Sequence, residues 1–359
     1  MRAAVVALVV VLTLGVGAAP AAKPKRLNLG QLARTLVKDG APGAIVYVRT
    51  PTGARAGVAG YADKNAHVSM RAADRYRIAS LSKAFTSVLV LQLEGEGKLD
   101  IDDPVEKYLP HVVPNGSAIT LRELLNHTSG LFDYSDDQAF SQSVFDNPER
   151  ARPPLELTAF AFMHPPYFAP GSNYHYSNTN YILLGLVVEK VDGKPLAQSL
   201  QQRIIGPLGL TSTSLPTTIE LGPDFVHGYL SLSGSPLIDL APLITPSIGW
   251  AAGGIVSNAR DVTTFYRGLL TGKLLPPAQL TEMETPSQTS GTYGLGIDNS
   301  YEGCGKVVGH LGDFSNAWRN EVLSTKNGKR QAVVMVNVDD THVAWSRIES
   351  FAGRALCRG

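Results

Sequence analysis

Gln331-Ala332-Val333-Val334-Met335-Val336-Asn337-Val338 is the stretch that decides the architecture. Its centre is apolar at successive positions, so a strand here has both faces covered and helices must pack on each side of its sheet. Asn327-Gly328 just before it is a strong hairpin signal, with Trp318 to Ser324 as the partner strand and Lys306 to His310 as a further one. Near the other end, Gly43 to Val48 is β-rich and bounded by Pro42 and Gly53, and Ala54 to Tyr61 reads as its hairpin partner. Val343 to Leu356 supplies one covering helix. Leu29, Leu32 and Leu36 recur at helical spacing behind Asn28, which gives another over Leu29 to Val37. The middle of the chain holds further helical patterns at Leu121 to Asn126, Thr179 to Val191 and Asp261 to Leu270. It also holds Pro/Gly-rich loops at Pro165 to Gly171 and Gly234 to Pro246. The expected fold class is α+β: an antiparallel sheet built from both chain ends, about 43–61 and 306–338, with helices on both faces and a mostly helical region inserted between.

The chain has 359 residues, 44% hydrophobic and 18% charged, with 32 basic against 31 acidic side chains and a formal charge of +1. That balance describes an ordinary globular protein and favours neither nucleic acid nor an anionic membrane as partner. Arg2, an apolar run from Ala3 to Val16 and small residues through Ala19-Pro20-Ala21 form a sorting signal over 1–21, which leaves 22–359 as the exported chain, expected on the extracellular side, with the domain count open on length alone. The apolar run falls short of the roughly 20 residues that cross a bilayer, so no membrane anchor is expected. In an exported protein the only two cysteines, Cys304 and Cys357, are expected to be bridged.

Chemistry is carried by short patterns in a fixed order: Ser80-Leu81-Ser82-Lys83, then Tyr176-Ser177-Asn178, then His310-Leu311-Gly312. An S-x-x-K pattern with a downstream polar triplet and a K-T-G-like strand marks penicillin-recognising serine enzymes. The apolar run from Leu81 to Leu93 puts Ser80 at a helix start and Lys83 one turn inside, so hydroxyl and amine face the same way and the amine can serve as base. The helix N-terminus and burial both disfavour the ammonium form. Tyr176 can relay the Ser80 proton to a leaving amine, and Asn178 offers an amide to a substrate amide. Backbone N–H groups at Ser80 and Asp313 are the candidate oxyanion hole. Each pattern alone has a plain alternative: Ser80 or Ser82 as an N-cap, Lys83 as a solvated side chain, the tyrosines as turn residues, His310 as a structural histidine. No H-E-x-x-H and no clustered His/Cys spacing occurs, so no metal and no cofactor is expected, and no Gly-x-Ser-x-Gly points to an α/β-hydrolase.

Taken together, these motifs resemble the serine β-lactamase and D-alanyl-D-alanine carboxypeptidase family, in its class C-like branch with Tyr-x-Asn second and Lys- or His-x-Gly third. Lys98-Leu99-Asp100-Ile101-Asp102-Asp103-Pro104, Leu124-Leu125-Asn126-His127-Thr128-Ser129-Gly130-Leu131 and Gly253-Gly254-Ile255-Val256-Ser257 are similar as well, and the likeness runs from about residue 35 to the C-terminus. The histidine in the third motif resembles secreted actinobacterial-type carboxypeptidases. The resemblance implies Ser80 as nucleophile, Lys83 and Tyr176 as the base pair, Asn178 with the His310-Leu311-Gly312-Asp313 strand as substrate clamp, and Trp250 as a wall. It departs at Leu311, where the family has Thr or Ser, and at Ser315-Asn316-Ala317, where the family has a Pro-Gly-aromatic run. Asp313 is an unusual neighbour for an oxyanion.

The implied function is a monomeric, secreted D-Ala-D-Ala carboxypeptidase acting on small peptides and acylated by β-lactams. A carboxylesterase, favoured by Leu311, and a β-lactamase are the alternatives on the same fold. A wall-fragment binding protein is disfavoured by the intact Ser80, Lys83 and Tyr176.

Overall fold

In the computed structural model, which describes residues 26–219, 221–231, 235–339 and 343–359, the two ends of the chain meet in one sheet. β1 (Gly43–Thr50), β2 (Gly53–Asp63) and β3 (Val68–Ser69) come from the N-terminal part. β4 (Asp298–Glu302), β5 (Gly305–Phe314), β6 (Trp318–Thr325) and β7 (Gln331–Val336) come from the C-terminal part. The order is β3-β2-β1-β7-β6-β5-β4, antiparallel throughout. The ends join where β1 lies on β7, Val46 opposite Val334. The helices that position the site are α1 (Leu29–Lys38), α2 (Ser82–Gly95), α3 (Asn178–Asp192), α4 (Ala259–Leu270) and α5 (Trp345–Arg358).

The continuous apolar run in β7 divides as a doubly covered strand must. Ala332, Val334 and Val336 pack with α1 and α5, while Val333 and Met335 enter a second layer with α2, α3 and α4. That second layer is one contiguous core containing Ile45 of β1, Leu89 of α2 and Leu183 of α3, so the inserted helical region shares its interior with the sheet. α1 begins at Asn28, whose Oδ1 accepts from Gln31 N at 3.0 Å.

The expected strand over Gln331 to Val338 breaks at Asn337. Its buried amide accepts from Gly43 N at 2.7 Å and donates to Tyr61 O at 3.1 Å and His227 O at 2.9 Å, pinning β1, β2 and the 227 loop together. The Lys306 to His310 strand is longer than expected and ends in a three-residue loop over 315–317, closed by Ala317 N donating to Phe314 O at 3.0 Å. Ser315 and Asn316 both adopt left-handed φ, 53° and 54°, the geometry that turns β5 into β6 without splaying the strands. Cys304, between β4 and β5, is bonded to Cys357 in the last turn of α5, with Cα atoms 5.3 Å apart. The leader expected over 1–21 lies outside the described residues, as does Gly234 in the expected Gly234–Pro246 loop. Among the described residues, no helix is long and apolar enough to cross a membrane.

Candidate active site

Ser80 sits in a tight 3-10 turn, Ala79–Leu81, that feeds α2. Ala79 has φ 51°, a left-handed conformation that costs a non-glycine residue of order 1–3 kcal/mol and persists only where neighbours over-determine it. They do so from two sides. Ile78 N donates to Ile255 O at 3.1 Å, and β5 crosses so close at Gly312 that a Cβ there would lie 2.6 Å from Ile78 O. Glycine at 312 is therefore what lets the strand touch the nucleophile turn. The second serine of the pattern is structural: Ser82 Oγ accepts from Ile255 N at 3.2 Å.

Lys83 is fully buried, and its Nζ donates to Ser80 Oγ at 3.1 Å, Asn178 Oδ1 at 2.7 Å and Ala252 O at 2.9 Å. Burial pulls the ammonium below its ordinary range, against the opposing pull of the Asp133 carboxylate. Asp133 is itself buried, and burial holds its carboxyl above the ordinary range. Asn178 bridges the two. Its Nδ2 donates to Asp133 Oδ2 at 3.0 Å and Ser135 Oγ at 3.2 Å, and its backbone N donates to the same Oδ2 at 2.9 Å. The amide expected to clamp a substrate is thus engaged at both ends with Lys83 and Asp133. Asp133 was not legible as a site residue, because it also accepts from Ser135 N at 3.0 Å and so reads as the cap of a short turn.

Burial raises the Tyr176 phenol well above 10, with Ser80 pulling the other way. Lys83 Nζ lies 4.7 Å from the Tyr176 ring centroid, over the ring face. A phenol in this setting stays protonated, which suits it to donate a proton and leaves acceptance to Lys83.

The third motif divides. His310 is buried, with Nδ1 2.5 Å from Leu311 O and Nε2 2.9 Å from Tyr293 Oη, and burial and Lys83 together push its imidazole down to about 3. A ring held uncharged is no cation for a substrate carboxylate. Leu311 lies opposite Glu321 of β6, and strand alternation sets it with Val307 on the α5 face, away from His310. Asp313 turns to Arg319 Nε at 3.1 Å and accepts from Asn316 N at 2.8 Å, so its carboxylate is directed away from the Ser80 turn. β4 pairs with β5 only as far as Gly309, so among the described residues no strand of the sheet pairs with His310 to Phe314 on that side.

The Trp250 ring packs on α3, where a Cβ at Gly185 would lie 2.7 Å from Trp250 Cζ3, and the side chain is partly buried. What this segment gives the site is the Ala252 carbonyl on Lys83. His127 and Tyr293, neither assigned a role from sequence, complete an aromatic cage beside Tyr176. The His127 ring lies 4.3 Å from that of Tyr176, and its Nδ1 accepts from Ser177 N at 3.1 Å.

Residues 29–346 match the Beta-lactamase family model. PbpX of Bacillus subtilis (strain 168), which carries a penicillin-binding protein's name, is 31% identical over 278 residues, 76% of this chain and 67% of the relative. The D-stereospecific amidohydrolase of a Streptomyces species superposes with TM-score 0.82 and 36% identity, over 92% of this chain and 98% of that one. The D-amino acid amidase of Ochrobactrum anthropi SV3, complexed with L-phenylalanine amide, superposes with TM-score 0.80 and 26% identity, over 91% and 96%. With the match spanning both ends of the sheet and the Ser80 turn between them, this chain belongs to the Beta-lactamase family and is a serine hydrolase of the β-lactamase/transpeptidase fold.

Proposed function

We propose that this protein is an exported serine amidohydrolase that cleaves an amide bond beside a D-configured residue through an acyl-enzyme on Ser80. The observation that carries the reading is Lys83 Nζ at 3.1 Å from Ser80 Oγ, with its other bonds fixed on Asn178 and Ala252. A buried neutral amine in that place takes the Ser80 proton as Oγ attacks the carbonyl carbon. The tetrahedral intermediate collapses with cleavage of the C–N bond, and the leaving nitrogen takes the Tyr176 phenol proton, which the Lys83 ammonium restores. Water then hydrolyses the Ser80 ester by the same groups in reverse. Backbone N–H groups of Ser80 and Asp313 are the proposed oxyanion donors.

D-configuration and an amide leaving group are supported by 36% identity to the Streptomyces amidohydrolase over nearly the whole of both chains. Export is supported by the leader-like composition of residues 1–21. A second reading, the D-Ala-D-Ala carboxypeptidase, is favoured by the likeness to PbpX. It ranks below the first because the neutral His310 offers no charge to a terminal carboxylate. Penicillin acylates Ser80 on either reading. Steady-state kcat/KM on D-phenylalanine amide, a D-Ala-D-Ala peptide and a short-chain ester, measured side by side, separates them: the amide should be preferred to the peptide, and a peptide preferred to the amide would establish the second reading instead.

A further inference from the structure

His310 occupies the third-motif position, and both of its nitrogens are committed. Leu311 O can only accept, so the ring nitrogen 2.5 Å from it, Nδ1, carries a proton. A neutral ring in that tautomer presents a bare lone pair at Nε2, and Tyr293 Oη, 2.9 Å away, donates to it. Tyr293 remains a donor, since burial raises its phenol well above 10. The groups that face His310 are Lys83 from α2, Tyr176 from the loop before α3, His127 from the loop after the Leu121–Leu125 helix, and Tyr293 from the loop before β4. The carboxylate on a packed element is Asp298 of β4, opposite Gly309, which acts on Tyr293 and is pushed up to about 6 by burial, and Lys83 disfavours a second cation at His310.

We propose that Tyr293 is a positioning residue that, with Leu311 O, holds the His310 ring in one orientation and in the Nδ1–H tautomer, so that the ring presents no free donor and the site selects amides without a carboxylate beside the scissile bond. This selection rests on the amidohydrolase reading of the same site. Tyr293 makes no contact with the reacting atoms in this arrangement. It acts through His310, by the phenol-to-imidazole bond and an edge-to-face ring contact at 5.6 Å.

The test compares the wild-type full chain with Tyr293→Phe and His310→Lys. Nitrogen-15 histidine spectra are recorded from pH 8 to 5, and kcat/KM is measured on D-phenylalanine amide and on a peptide ending in D-Ala-D-Ala over the same range. In the wild type, His310 should show the Nδ1–H tautomer, stay neutral to pH 5, and keep a peptide-to-amide ratio that does not change with pH. In Tyr293→Phe the freed ring should lose its single tautomer, with Nε2–H appearing beside Nδ1–H while burial and Lys83 still keep it uncharged, and the ratio should rise by about two- to tenfold, the size expected of one neutral hydrogen bond. Loss of the Lys83 base at low pH slows both substrates and cancels in the ratio. His310→Lys should raise the ratio across the whole range. An imidazolium or an Nε2–H tautomer in the wild type, or a Tyr293→Phe protein whose tautomer and ratio are unchanged, overturns the proposal. If neither substrate acylates Ser80, the amidohydrolase reading falls, while the spectra still decide what Tyr293 does to His310.

Discussion

Lys83 has three acceptors around its nitrogen, and as an ammonium it has three protons to give them. As a neutral amine it keeps two for Asn178 and Ala252 and turns its lone pair to the Ser80 hydroxyl, so one arrangement serves both protonation states. Burial lowers its pKa and the Asp133 charge opposes that shift. Activity requires the neutral amine and is therefore lost as pH falls through the Lys83 pKa. Removing the opposing charge with Asp133→Asn lowers that pKa further, so the acidic limb of the kcat/KM profile should move to lower pH, by on the order of 1 unit. A limb that stays in place or moves upward would show that Asp133 does not act on Lys83. The Ser80, Lys83 and Tyr176 pattern stands out in the sequence because short motifs, each common alone, occur together in one order. Asp133 and Tyr293 do not stand out, because they act on residues 45 and 17 positions away in the chain and look locally like a turn cap and a loop aromatic.

At the scale of elements, β6 carries a buried acid between the sheet and α5. Among the described residues, Glu321 Oε2 has no hydrogen-bond partner, and burial, with Glu349, Glu302 and Asp298 nearby, pushes the carboxyl up to about 8 from its ordinary 4.5. The folded state thus holds this proton more tightly than the unfolded chain. The stability it contributes is complete below about 4.5 and is lost as pH rises to about 8, with a slope of at most about 1.36 kcal/mol per pH unit. Urea midpoints at pH 5 and pH 8 should fall in the wild type by more than in Glu321→Gln; equal falls would place the proton elsewhere. The bridge between Cys304 and Cys357 ties the same helix to the β4–β5 turn across 53 residues, a loop whose closure stabilises by roughly 2–4 kcal/mol. Reduction should add two protons to the intact mass and lower the urea midpoint, and free thiols in the unreduced exported protein would contradict the bridge. Strand positions were legible because β1 and β7 are apolar on both faces. The end of β7 was not, because Asn337 breaks it with bonds to Gly43, Tyr61 and His227 that no local pattern announces.

Across the whole molecule, chain ends build the sheet and the inserted helices share its core, so Ser80, Lys83, Tyr176 and His310 meet although they span more than half of the sequence. The fold and the nucleophile–base pair were readable from runs and motifs. The substrate side was not, because it depends on how side chains at His310, Leu311 and Trp250 turn, which is set by Tyr293, by the register of β5 on β6 and by packing on α3. The central claim is that Ser80 becomes acylated with Lys83 as its base. Intact-mass and peptide-mapping spectrometry after incubation with a penicillin tests it most directly. One adduct on the peptide containing Ser80 is expected in the wild type, none in Ser80→Ala, and a rate of adduct formation reduced by several orders of magnitude in Lys83→Ala. An adduct mapped to another residue, or a Ser80→Ala protein that is still labelled, would contradict it.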